Sequence, residues 1–354
     1  MFILFPFLRI ESKEYIIKEF ISLDTITNLK SYGSYSPVGD FHYNRSRVDI
    51  LDEKSDVILR GYINKKGEWI VHPYYSAYEI DKNISRNFDG DYHDGIAVVS
   101  LLDSDNIVKW FYIDTLGNKL TDQRLNWLYD FEDGYASVSI YMKGVYYINT
   151  KGEFQNRLNF GLDRYKNIFS YKKDGKYGFK RFDGTIIKKA QYDSIEFCGC
   201  GYVNVSKDGE VFLLDTLWNK IEDINELDLC DEMINKYSTR NCYLNIKKTI
   251  SCKYDILEPF SDGLGCVKEK SGASAYLDRN GTEVIRFDKD TVCFSFNNGY
   301  AKIMVNKKYG LIDKHKEIVI PVEYDYLGNT YEDGIVLVSK EHKYKFLKIE
   351  IASE

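Results

Sequence analysis

Five prolines in 354 residues are too few for a proline-rich linker, and 25 glycines are too few for a collagenous segment. No apolar run approaches the ~18 residues of a membrane-spanning helix, so no membrane partner is expected. Cations do not predominate: Lys and Arg number 48 against 54 Asp and Glu, a net charge of −6 with pI near 5.6. That balance argues against a nucleic-acid partner held through its phosphates. There is no Gly-x-x-x-x-Gly-Lys loop to cradle a phosphate, and no Ser or Cys stands in a recognisable nucleophile signature. Histidine is scarce. The five are His42, His72, His93, His315 and His342, and none is near the one close cysteine pair, Cys198 and Cys200. A metal site there would lack half its ligands, so no metal or cofactor is expected.

The seven cysteines, Cys198, Cys200, Cys230, Cys242, Cys252, Cys266 and Cys293, are an odd number. Most fall in or beside predicted strands, where a free thiol packs as a small apolar group. Met1 to Arg9 is apolar but has neither a preceding positive charge nor a small-residue cleavage site. Both features favour a reducing compartment, and the cytoplasm is the expected location.

What the chain does have is a period. An Asp or Asn closing a short apolar strand returns as Asn64, Asp114, Asn149, Asp215, Asn245, Asp278 and Asp313, with Arg181 in the same register. The steps are 50, 35, 32, 34, 30, 33 and 35 residues. Three residues on stand Gly67, Gly117, Gly152, Gly184 and Gly281. Asx-x-x-Gly between β-rich runs is a hairpin turn, in which the Asx side chain caps its own backbone. A second landmark is a glycine opening an alternating run, as in Gly95-Ile96-Ala97-Val98 and Gly299-Tyr300-Ala301-Lys302, with Asp94, Asp133, Asp262, Asn298 and Asp333 before five such glycines. Between units recur Tyr129-Asp130, Tyr192-Asp193, Tyr254-Asp255 and Tyr324-Asp325. Phe131, Phe197, Phe260, Phe296 and Tyr331 follow as aromatic plugs between neighbours.

The succession Tyr309-Gly310-Leu311-Ile312-Asp313, Ile318-Val319-Ile320-Pro321, Tyr324-Asp325 and Glu332-Asp333-Gly334 resembles the WG-repeat proteins of bacteria. The resemblance covers residues 58 to 350. The Trp-Gly dipeptide is absent, replaced by Tyr177-Gly178 and Tyr309-Gly310 and elsewhere by Phe111-Tyr112 or Tyr146-Tyr147. The family implies architecture and a bias towards binding; it brings no shared catalytic residue.

The expected fold is therefore all-β. It is a tandem array of about eight three-stranded meanders at residues 58–354, stacked as an open superhelix, behind an N-terminal capping region at 1–57. A closed β-propeller is the alternative. Sites are sought where the repeat breaks. The step of 50 holds extra loop residues at 78–92, including Phe88 and Tyr92, and at 101–108. Residues 221–242 lack the Gly-led strand. There, Ile224, Leu227 and Ile234 at helical spacing, with Glu226, Asp228, Asp231 and Glu232 between them, predict a short acidic helix. Trp218 replaces the turn glycine in Asp215-Thr216-Leu217-Trp218, to be covered by a neighbouring segment or exposed for binding.

Partner contact is the role assigned to these seven residues, Trp218, Phe88, Tyr92, Glu226, Asp228, Asp231 and Glu232. The expected function is a non-enzymatic scaffold engaging a protein partner, with an immunity-type inhibitor of a toxin as one form. Surface glycan binding by exposed Tyr and Trp is the first alternative, and a carboxylate-dependent hydrolase with two acids at one pocket is the second.

Overall fold

The computed structural model describes residues 15–23, 26, 29, 36–53, 57–76, 90–102, 108–157, 164–165, 168–181, 184–199, 201–222, 243–244, 249–251, 254–256, 258–269, 271–329 and 331–351. They form antiparallel sheet almost throughout, with no α-helix among them. Eight meanders follow one another in these residues: units 1 to 8 occupy 38–76, 92–120, 125–157, 164–192, 194–220, 254–286, 291–324 and 326–351. A two-strand ladder, Tyr243–Leu244 with Thr249–Ser251, lies between units 5 and 6 in sequence. The all-β repeat expected from the period is present.

The turn anchors behave as Asx chemistry dictates. Oδ1 of Asp114 accepts the N–H groups of Leu116 and Asn118 at 2.9 and 2.8 Å. Asn64, Asn149, Asp215, Asp278 and Asp313 make the same two bonds. Asn245 lies outside the described residues.

Units 1, 3, 4, 6, 7 and 8 hold a fourth strand. In unit 7 the order is Thr291–Asn297, Tyr300–Val305, Lys308–Asp313, Ile318–Tyr324. The first of these lies in what the sequence presents as connector and plug. A register shift between Cys293 and Phe296 places those two buried residues three apart, so the strand's period-two signature is lost. The plugs themselves are as expected: Phe131, Phe197, Phe260, Phe296 and Tyr331 are all buried. Each core is shared by neighbours, as where Tyr276 of unit 6 meets Phe296 of unit 7 with ring centres 4.7 Å apart.

Two rows of carboxylates sew units together. In the first, Asp94 of unit 2 accepts the N–H of Gly134 in unit 3 at 2.6 Å, and Asp262 of unit 6 that of Gly299 in unit 7 at 2.7 Å. In the second, Asp193 binds Lys176 of unit 4 and the N–H of Asp208 in unit 5; Asp325 binds Lys308 of unit 7 and the N–H of Glu341 in unit 8. These lysine contacts hold both carboxyls below the usual range.

The two ends of the array meet. The strand Tyr15–Ser22 pairs antiparallel with Lys343–Ile351 and completes the sheet of unit 8. Glu332 of unit 8 accepts the N–H groups of Tyr43 and Asn44 in unit 1 at 2.9 and 3.2 Å, and Lys65 pairs with both Glu332 and Asp333. Tyr43 and Asn44 form the turn after the first strand of unit 1, so the first carboxylate row continues across the ends. Joined ends are the arrangement of the closed alternative.

The described residues of the expected cap at 1–57 accordingly belong to the repeat units. Tyr15–Ser22 serves unit 8, while Val38–His42 and Arg45–Asp52 are the first two strands of unit 1. Charged residues at buried strand positions (Asp40, Arg47 and Asp49) had hidden the alternation.

One cysteine expectation is corrected. Cys266 of unit 6 and Cys293 of unit 7 are joined by a disulfide, with Cα atoms 6.0 Å apart, while Cys198 is buried.

Candidate functional site

The residues singled out by the broken repeat separate into three groups. Tyr92 is 1 % exposed, packs on Tyr62 at 4.9 Å and donates its hydroxyl to Asp114 O. It is a core residue, because the strand Tyr92–His93 lies inside unit 2 and is no part of an exposed loop. Trp218 is half-buried, its ring 4.6 Å from that of Phe179 in unit 4, with backbone φ at +69°. It packs on a neighbouring repeat, and residues 223–242, the segment expected to cover it, lie outside the described residues. Phe88, Glu226, Asp228, Asp231 and Glu232, with the predicted acidic helix, lie outside the described residues.

A different face emerges where unit 2 meets unit 3. In unit 2 the chain returns along the third strand only briefly: Leu120 donates its N–H to Tyr112 O, and the next paired residue is Leu125, opposite Trp110. Between them Thr121 to Arg124 bow outwards, braced by Gln123 N–H on Thr121 Oγ1 at 3.2 Å and by Tyr141 N–H on Arg124 O at 3.1 Å. The bow opens a groove of about 380 Å³, walled by residues 108–111 on one side and 122–126 on the other. Its volume is within the usual range of binding sites, roughly 300–1,000 Å³. Buried Trp110 forms part of one wall.

Side chains of unit 3 extend this face. A register shift between Ser139 and Ile140 lets both Leu125 and Leu128 turn inwards, which leaves Trp127 57 % exposed on the opposite side. The hairpin tip Tyr141-Met142-Lys143-Gly144 carries Met142, 88 % exposed and held at φ +59°. Other left-handed tips carry polar residues, Asp174 and Asp208 before glycine, Asn306-Lys307 and Glu341-His342. Arg124 lies over the Tyr141 ring at 4.5 Å, Lys119 over Phe111 at 3.9 Å, and Lys143 donates to Gln123 Oε1 at 3.2 Å. All three cations have neutral partners.

Sequence reading missed this face. The signal available was the hairpin tip, where Tyr141-Met142 stands in place of the polar tips of units 4, 5, 7 and 8; Arg124 and the groove arise from a returning strand that stops early.

A second constellation is buried. Asp49, 1 % exposed, accepts Arg60 through both oxygens at 2.9 and 3.0 Å and Arg47 at 2.7 Å. Arg47 also reaches Asp91 of the chain entering unit 2 at 3.1 Å. His42 stands 3.9 Å from Asp91 and stacks on His93, itself 3.9 Å from Asp130. The Asp49 oxygens are engaged by guanidinium groups, so the cluster acts as a strut between units 1 and 2. Among the described residues no group of three or more His, Cys, Asp or Glu is placed to hold a metal.

The groove and the repeat architecture can now be set beside known proteins. Residues 61–83, 110–141, 247–271, 275–309 and 309–344 match the WG containing repeat. No curated protein matches the chain. Among solved structures it is similar to the computationally designed Ika8 protein, at 15 % identity over 93 % of this chain and 98 % of that one, TM-score 0.36. It is also similar to BamB from Moraxella catarrhalis, at 9 % identity over 94 % and 100 %, TM-score 0.35. A eukaryotic initiation factor is similar at 11 % identity over 84 % and 90 %, TM-score 0.47. At such identities and scores these likenesses carry nothing about what the chain binds. The repeat matches fall on the meanders of units 1 to 3 and 6 to 8, so the chain carries WG repeats in five stretches along its length.

Proposed function

We propose that this chain is a non-enzymatic β-repeat scaffold that engages a protein partner through the groove and hairpin tip of unit 3. The observation that carries the reading is the grouping of Trp127, Tyr141 and Met142 in solvent beside Arg124. Tryptophan, tyrosine, methionine and arginine are the residue types enriched at interface centres. Elsewhere the large rings of the array are mostly spent as plugs between units, so an exposed set needs its own reason.

The compartment follows from a separate feature. Cytoplasm was expected on the premise of free thiols and of a first segment without signal features. The bonded Cys266–Cys293 pair shifts the working location to an oxidising compartment, where such bonds persist. No helix among the described residues is long and apolar enough to cross a membrane.

Affinity capture from the source cells tests the reading, comparing wild type with a Trp127→Ser/Met142→Asp variant and with Trp218→Ala as a packed control. A stoichiometric protein kept by wild type and Trp218→Ala but lost by the double variant is the expected outcome. Retention by the double variant, or recovery of polysaccharide in place of protein, would overturn it.

A further inference from the structure

Resting on the scaffold reading, we infer that unit 4 is a second contact surface and that it takes an acidic patch of a protein partner. Charge is not spread evenly along the repeats. Unit 4, residues 164–192, holds nine Lys and Arg against two Asp, a surplus of seven positive charges in a chain whose net charge is −6. Counted in the same way, every other unit lies between −2 and +2. Composition alone therefore sets this unit apart.

Strand pairing brings its cations together. Ile168–Lys173 pairs with Lys176–Arg181, which pairs in turn with the outer strand Ile186–Tyr192. Lys173 stands directly opposite Lys176 and Phe169 opposite Lys180, so the three lysines share one face. Lys172, opposite Tyr177, and Lys188, opposite Phe179, lie on the other face, and Lys189 is exposed on the outer strand. Lys176 is bound to Asp193. Lys172 and Lys180 rest on the rings of Tyr177 and Phe169, and none of Lys172, Lys173, Lys180, Lys188 and Lys189 has a carboxylate within ion-pair distance among the described residues. Like charges on facing strand positions destabilise a sheet, so the grouping has a cost. Lysines on an outer strand guard its edge against stray pairing, which accounts for Lys188 and Lys189. It does not account for Lys172 and Lys173 at the hairpin or for Lys180 on an inner strand.

The extent of the patch selects the kind of anion. Lys176 and Lys180 are four residues apart on one strand, about 13 Å, so the lysines do not converge on one point as a single phosphate would require. A nucleic acid or an anionic membrane would run past unit 4 and meet the remainder of the chain, which without those seven charges carries −13. An acidic patch the size of one unit avoids that repulsion, because a protein can present other charges beyond it.

The experiment uses the full chain and a fluorescently labelled synthetic peptide alternating glutamate with serine, read by anisotropy at low and high salt. Lys172→Glu with Lys173→Glu, and Lys188→Glu with Lys189→Glu, are each expected to weaken binding about tenfold or more, and salt to weaken wild-type binding by a similar factor. Lys289→Glu with Lys343→Glu, an equal charge change at exposed sites outside unit 4, is expected to leave affinity unchanged. A lysine–serine peptide is expected to bind both unit 4 variants better than wild type. Urea midpoints equal to wild type confirm that the variants are folded. Equal binding by wild type and the unit 4 variants overturns the proposal. So does an equal loss in the control variant, or tighter binding of duplex DNA or phosphatidylglycerol vesicles at physiological salt. The same variants in the capture experiment separate the two claims. If the unit 4 variants keep the partner that Trp127→Ser/Met142→Asp loses, the unit 4 surface falls and the scaffold reading stands. If they alone lose it, the unit 4 surface stands and the unit 3 site falls. Loss in all supports both, and retention in all overturns both.

Discussion

Replacing Cys266 and Cys293 together by alanine removes the covalent joint between units 6 and 7, and its consequence can be worked out in advance. The two residues are 27 apart in sequence. Closing a loop of that size costs the unfolded chain about 12 cal/mol/K, so the bond contributes about 3.5 kcal/mol at 25 °C in the chain-entropy account. Both side chains are buried within one cluster with Tyr276 and Phe296, so losing two sulfur atoms there adds about 1 kcal/mol of lost packing. Alanine is preferred to serine, whose hydroxyls would be buried without assured partners. In a repeat array each unit is stabilised mainly by its neighbours, so the loss should be local. Hydrogen exchange should rise on Leu264–Glu269 and Thr291–Asn297 before units 1 to 3 respond. In urea, the double variant and the reduced wild type should both unfold earlier by about 1–2 M, taking a slope of about 3 kcal/mol/M. Coincident urea curves for oxidised wild type and the double variant would refute the reasoning. So would alkylation of Cys266 and Cys293 in unfolded, unreduced protein.

Three further outcomes are expected. Asp49→Asn leaves the guanidinium groups of Arg47 and Arg60 buried without their shared carboxylate, a loss of about 3–5 kcal/mol; a thermal melt within about 1 kcal/mol of wild type would count against the strut. Burial raises the phenol pKa of Tyr62, Tyr92, Tyr112, Tyr276 and Tyr331. Their contribution is intact below the unfolded value near 10 and is lost as pH rises beyond it, at about 1.4 kcal/mol per pH unit each and about 7 for the five. Cooperative alkaline unfolding with a step in phenolate absorbance is the readout, and gradual, non-cooperative ionisation near pH 10 would contradict it. Trp218→Gly relieves a left-handed backbone that costs about 1 kcal/mol but gives up about 2 kcal/mol of packing on Phe179, whereas Trp218→Ala gives up the packing and keeps the strain. The glycine variant should thus lie about 1 kcal/mol above the alanine variant in urea and below wild type; the reverse order would remove the strain argument.

The repeat was legible because its turns are written locally. Asp114 and its counterparts bond within four residues of themselves, so spacing alone exposes them. Tyr309-Gly310 was equally visible as a motif, but its reason is tertiary. A Cβ on Gly310 would stand 2.8 Å from Ile320 O, and one on Gly178 would stand 2.6 Å from Lys188 O. The glycine marks where the fourth strand crosses closest to the third. Contacts between units left no such trace. Asp94 looks like any turn residue, and only the structure shows its carboxylate on Gly134 in the next unit. The joining of Tyr15–Ser22 to Lys343–Ile351 was hidden for the same reason: strand pairing across more than three hundred residues has no local signature. The candidate site was illegible because it consists of departures spread over two units, a strand that stops at Leu120 and a tip that carries Met142.

This division between local and distant signals bears on how such an array acquires a function. The recurring acids that a sequence search presents as candidates for chemistry are largely consumed. Asp114 caps a turn, Asp94 and Asp262 reach the next unit, Asp193 and Asp325 hold lysines, and Glu332 fastens the two ends. A regular repeat with its acids engaged in this way has few polar groups to offer a ligand. Binding capacity must then come from positions where the pattern lapses, since a side chain released from a joint is the one free to meet a partner. Unit 3 satisfies that condition twice. Its entry strand follows a bow in the chain, and its hairpin tip carries apolar Met142 where units 4, 5, 7 and 8 carry polar residues. Both lapses occur beside Arg124, whose guanidinium rests on the Tyr141 ring. Asp tolerates the left-handed region better than Met, so by this reasoning Met142→Asp should relax the backbone while weakening capture of the partner. A Met142→Asp variant that is both as stable as wild type or more so, and poorer at binding, would tie the strain at that tip to function.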